Sequence, residues 1–243
     1  MEILILTLAV MMLLVGGRQG LRSFAALATN AVVLLLSVIL MAGGVNPVGV
    51  GVVAAIIILA ATIFLSSADM HIAGPAFVAS LIVMVTLVVV IIGVLHFSHT
   101  AGFGSEDGEE LEGMSTALGV SFPAIAVAAG LISTLGAVAE AAIAVAAGIN
   151  ELDVQQNWLG IVQMGREIIG TAINTLFFGF FGGFAGLFIW FAQLKYPLWM
   201  VLNNKIFVGE LLDVLFSVIA VILTVPVTSW VVRQRTIAGK AAK

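Results

Sequence analysis

Residues 76–95, AFVASLIVMVTLVVVIIGVL, hold no ionisable side chain. A helix of that length, rising about 1.5 Å per residue, crosses the roughly 30 Å hydrocarbon core of a bilayer. Comparable runs recur along most of the chain. They are long and continuous, without the short apolar–polar alternation of membrane strands, so helices are the expected form. Composition closes off the soluble alternative. Charged residues are 9% of the 243 and hydrophobic residues 62%, with a mean hydropathy of +1.24. A soluble domain carries charge on about a quarter of its residues. The expected fold is all-α, a polytopic transmembrane helical bundle forming a single domain over residues 1–243.

The apolar runs divide into spans at 2–16, 21–42, 48–67, 76–97, 166–191 and 207–232. The first is short. It starts on Glu2 rather than a basic residue and ends without a small-x-small cleavage site, so it reads as a span and not as a signal peptide. Asn46-Pro47 and Gly74-Pro75 mark turns. The region 116–148 is long for one span and short for two, and contains Pro123, Gly130 and Gly136. It is read as one long, tilted or broken helix, or as a span joined to a partial one. The total is about seven spans. Residues 98–115, SHTAGFGSEDGEELEGMS, form an acidic loop, and 149–163 a polar link. Lys195, Tyr196 and Trp199 suit a membrane interface.

Basic residues favour the cytoplasmic ends of spans. Seven spans with the N-terminus outside and the C-terminus cytoplasmic put Arg18, Arg22, Arg166 and the basic tail inside. The acidic 98–115 loop is then extracytoplasmic, with Lys195 and Lys205 also outside.

Several function classes find no support. No lysine–arginine patch suits a nucleic-acid backbone. With no cysteine there are no thiolate ligands or nucleophiles, and His96 and His99 beside loose carboxylates are not a metal signature, so neither metal nor cofactor is expected. GFFGGF at 179–184 lacks the lysine and hydroxyl of a phosphate loop. No hydrolase triad or HExxH motif is present, and an enzyme is not expected.

Three polar constellations remain. Glu140 lies in GAVAEAAIAVAAG, where an unpaired carboxylate costs several kcal/mol and must be protonated, paired or wetted. It reads either as a proton- or cation-coupling group or as a buried acid that fixes packing. Gly136, Glu140 and Ala144 share one helical face, which suggests close helix contact. In GREIIGTAINT, Arg166, Gly170 and Asn174 align at four-residue intervals, with Glu167, Thr171 and Thr175 on the adjoining strip. Such a strip lines a water-filled route or bonds across a helix interface. In GGRQGLRS, Arg18 and Arg22 form a basic turn that sets topology or meets lipid headgroups, and its glycines permit a sharp change of direction. Ser66, Asp69 and His71 read as a solvated link.

Taken in order, GGRQGLRS at 16–23, LGAVAEAAIAVAAGINEL at 135–152 and GREIIGTAINTL at 165–176 resemble the YibE/F-like family of bacterial multi-spanning membrane proteins. The resemblance covers most of the chain. It implies an architecture and a bacterial cytoplasmic membrane location rather than a mechanism. Glu140, Arg166, Glu167 and Asn174 are family-matched positions without assigned roles. Members often carry aspartate where this chain has Glu140, which keeps the carboxylate and changes its reach. The resemblance also implies a second membrane subunit as a partner, beside the bilayer itself or a homo-oligomer.

Two functions follow as expectations. A secondary transporter or channel component for a proton, cation or small solute requires a polar cavity reaching Glu140. A non-transporting membrane partner or assembly subunit requires a dry core with Glu140 enclosed by hydrogen bonds, and an exposed apolar or small-residue flank suited to another subunit.

Overall fold

The computed structural model describes residues 2–67, 69–100, 119, 121–152 and 158–241, and the elements among them are all helices. Residues 101–118 and 120, which take in most of the acidic 98–115 loop, and residues 153–157 of the polar link lie outside the described residues. In chain order the helices are α1 (Glu2–Ala42), α2 (Pro47–Ser66), α3 (Met70–Ser98), α4 (Phe122–Glu151), α5 (Trp158–Gly183), α6 (Ala185–Gln193), α7 (Leu198–Val201) and α8 (Lys205–Ala241). Five of them, α1, α2, α3, α4 and α8, are long and apolar enough to cross a membrane; α5 and α6, bent by 52° at their junction, are together apolar enough for a broken span or a re-entrant loop. This is a polytopic membrane protein.

Local chemistry sets the helix starts. The Asn46 side chain accepts from the Gly49 N–H at 3.1 Å, and Pro47 supplies a pre-set φ for the first turn of α2. Asp69 accepts from the His71 N–H at 2.8 Å and starts α3 six residues before the expected span at 76; Pro75 lies inside the helix. Ser121 caps α4.

Two regions settle into one of the forms the sequence left open or shift from it. In the described part of 116–149, α4 is one continuous helix of 30 residues. Pro123 sits in its first turn, where its missing N–H breaks no intrahelical bond, so it starts the helix rather than breaking it. The bend lies instead between α5 and α6, at Phe184. The expected spans 2–16 and 21–42 fall within the single element α1, on either side of Gly17, whose backbone leaves the helical region at φ 55° and ψ −133°. Gly20 then packs directly on the Met12 carbonyl, an approach that no side chain permits.

The core lies among α2, α3, α4 and α8. Leu59, Ile63, Leu87, Ile91, Leu131 and Phe216 are buried there. Close approach uses small residues, as expected where lipid removes the usual hydrophobic drive between helices. A Cβ on Gly51 would lie 2.8 Å from the Ala128 Cβ, and one on Gly165 2.7 Å from Val225. α1 packs on α2, where the Asn30 amide donates to Thr62 Oγ1 at 2.8 Å and the Gln19 amide donates to the Leu65 and Ser66 carbonyls. α5 lies at the periphery against α4 and α8, and of its residues Ile161, Gly165 and Phe180 are buried.

These contacts gather four chain segments at one end of the bundle. Gln19 meets the end of α2; the Arg235 guanidinium covers Gly74; Gly148 packs on Met164; and the Arg233 guanidinium lies 5.9 Å from the Trp158 ring centroid.

Candidate functional site

A groove of about 370 Å³ opens between α4 and α5. Small residues make it: Ala137 and Ala141 on α4 face Ala172 on α5, leaving space where larger side chains would interdigitate. Glu140, Glu167, Thr171 and Thr175 supply its polar lining. The structure therefore joins the carboxylate of LGAVAEAA to one strip of GREIIGTAINT. The two helices run antiparallel here, since Gly148 packs against Met164 while Ala137 and Thr175 border the same groove. On that register Glu140 faces the level of Ala172, and Glu167 lies about five residues, or roughly 7 Å, further along the helix axis.

The groove presents acceptors. Gln163 Nε2 donates to Glu167 Oε1 at 3.1 Å, which orients one carboxylate. The Thr175 hydroxyl donates to the Thr171 carbonyl at 3.0 Å, so its proton stays on its own helix and its lone pairs remain available. Both carboxylates and both threonines are exposed from the protein rather than enclosed by it. A lining of this kind suits a proton or a cation, because ionised carboxylates and hydroxyl oxygens accept and do not repel positive charge.

The remaining predicted residues lie elsewhere. Arg166 borders a different cavity, between α5 and α8, on the face of α5 next to the groove. Asn174 is exposed and lines neither cavity. Arg18 and Arg22 are exposed just after the kink at Gly17, on either side of Gly20. The face carrying Gly136, Glu140 and Ala144 is not a close contact: a Cβ on Gly136 would meet nothing within 4 Å.

A family model for YibE/F-like protein matches residues 4–236. The chain belongs to the YibE/F-like family. No curated protein and no solved structure matches it. In this YibE/F-like chain the match takes in both helices of the groove and the turn at Gly17.

One intramembrane acid escapes sequence inspection. Asp213 lies on α8 where that helix meets α3 and α4, and its Oδ1 would be 3.3 Å from a Cβ on Gly130, close to Ile91 and Phe216. The Ser217 hydroxyl donates to the Asp213 carbonyl at 3.0 Å and approaches the Ser133 carbonyl at 3.5 Å. Thr224 and Thr228 continue the same side of α8; both are buried, and the Thr228 hydroxyl has no hydrogen-bond partner among the described residues. The signal was present as polar residues recurring at four- and seven-residue intervals from 213 to 228, but the apolar background of the span obscures it.

Proposed function

We propose that this YibE/F-like protein is a component of a membrane transporter or channel for a proton, cation or small cationic solute. The observation that carries the reading is the 370 Å³ groove reaching Glu140, lined by a second carboxylate and two threonines. Glu140 holds the positive charge or the proton, Glu167 offers a second position further along the groove, and the threonine oxygens replace part of a hydration shell. Carboxylates on the outer side of a membrane bundle are costly unless water, a proton or a partner covers them. The open flank therefore supports a groove completed by a neighbouring helix, from a second subunit or a second copy.

The basic end of the bundle supports the orientation. Arg18, Arg22, Arg233 and Arg235 belong to segments gathered at one end, which the positive-inside preference assigns to the cytoplasm of a bacterial cell. With α1 crossing twice about Gly17, the N-terminus is outside.

The test is flux in proteoliposomes against a panel of protons, monovalent and divalent cations and small solutes, comparing wild type with Glu140→Gln. The expected result is wild-type flux of one member of the panel, reduced at least tenfold in the variant at equal folded, inserted protein. Equal leak-level traces for both, with protein reconstituted alone and with its native-membrane partners, overturn the reading.

A non-transporting partner or assembly subunit is the second reading. One observation favours it, the open flank of α5 and α4 that another helix could cover; that flank is polar rather than apolar, since Glu140, Glu167, Thr171, Asn174 and Thr175 are all exposed, and Glu140 is not enclosed. It expects a stable partner on co-purification and no flux from the purified complex.

A further inference from the structure

A second cavity, of about 320 Å³, lies between α5 and α8 on the face of α5 next to the groove. We infer that it binds an anionic phospholipid, with the phosphate held by Arg166 and Arg233 and an acyl chain in the apolar floor.

The placement follows from the helix packing. Gly165 packs on Val225 and Trp158 lies under Arg233, so α5 and α8 run antiparallel past the cavity. Trp158 and Trp230 border its outer end, and indole rings settle at the headgroup level of a bilayer. Arg233 stands over the Trp158 ring at 5.9 Å, which fixes one guanidinium at that rim. Arg166 lies eight residues further along α5 than Trp158, about 12 Å, and a guanidinium at that depth extends toward the interface to meet water or an anion.

The lining is otherwise apolar: Ile161, Val162 and Ile169 face Val225 and Pro226, with Ser229 beside them. A free inorganic anion satisfies the arginines and leaves this floor uncovered. A neutral lipid covers the floor and leaves two like charges facing one cavity. An amphiphile with an anionic phosphate and a hydrocarbon tail satisfies both, and planar guanidiniums match phosphate oxygens bidentately.

The experiment is native mass spectrometry of the full chain released from nanodiscs of equimolar phosphatidylglycerol and phosphatidylcholine. Wild type, Arg166→Gln, Arg233→Gln, the double variant and the control Lys205→Gln, at the opposite end of α8, are compared. Wild type is expected to retain phosphatidylglycerol preferentially. Each pocket variant loses the preference by about fivefold and the double variant by about thirtyfold, while Lys205→Gln retains it. Val162→Trp fills the apolar floor with both charges kept, and is expected to lower retention of the same lipid. It also keeps the proposal testable if the double variant does not fold. Equal retention of both lipids by wild type overturns the inference, as does an unchanged preference in the double variant or in Val162→Trp. Displacement of the lipid by millimolar inorganic phosphate overturns it in favour of a soluble anion.

Discussion

At the scale of single residues, Glu140 illustrates how far a sequence reaches into a membrane protein. A carboxylate amid alanine and valine announces itself through its desolvation cost, whatever the fold. Its direction does not, because that depends on which side of α4 receives α5. The small residues show the same division. Gly51, Gly136 and Gly165 look alike in sequence, yet Gly51 and Gly165 sit at helix contacts and Gly136 faces open space. Gly51→Leu is accordingly expected to force α2 from Ala128 and destabilise the protein by about 1–3 kcal/mol. Gly136→Leu is expected to change stability by less than about 0.5 kcal/mol. Denaturation in mixed micelles measures both, and equal losses would contradict the packing described.

At the scale of elements, α1 is the informative case. Its 41 residues would extend about 62 Å if straight, twice the hydrocarbon thickness. The GGRQG string therefore calls for a change of direction, and Gly17 and Gly20 provide it through a positive φ and a backbone contact. Spin labels at Leu8→Cys and Leu27→Cys are expected to lie well below the roughly 28 Å of a straight helix. Adding Gly20→Val should shift the distance toward that value in electron-spin distance measurements. No shift would mean that Gly20 does not hold the bend. At the other bend, Phe180, Phe184, Phe188 and Phe207 pack ring against ring across α5, α6 and α8. These residues are individually unremarkable in an apolar sequence. Their clustering arises only when α8 returns beside α5.

At the scale of the whole molecule, the contacts of Gln19, Gly74, Gly148 and Trp158 bring four segments to one end of the bundle. The chain has no native cysteine, so single introduced cysteines report sidedness directly. Gln19→Cys and Arg235→Cys are expected to react with an impermeant maleimide only after the cytoplasmic side is opened. Gly44→Cys and Gln193→Cys are expected to react in intact cells. Ile3→Cys should follow Gly44 if the two halves of α1 both cross, and its labelling from the Arg235 side would remove that crossing.

Hydropathy and charge in the sequence determined the membrane-spanning character, most helix locations, the turn near Gly17 and the choice of Glu140 as a residue of interest. These depend on local cost: apolar length against bilayer thickness, and a charge against hydrocarbon. Tertiary structure alone decided which polar residues meet. It joined Glu140 to Glu167, Thr171 and Thr175, placed Arg166 on a cavity that Arg233 also lines, and set Asp213 among α3, α4 and α8. In a chain this uniformly apolar, lipid-facing and protein-facing sides carry nearly the same residues. Periodicity therefore does not identify a helix's partner, and the crossing of one helix over another fixes it.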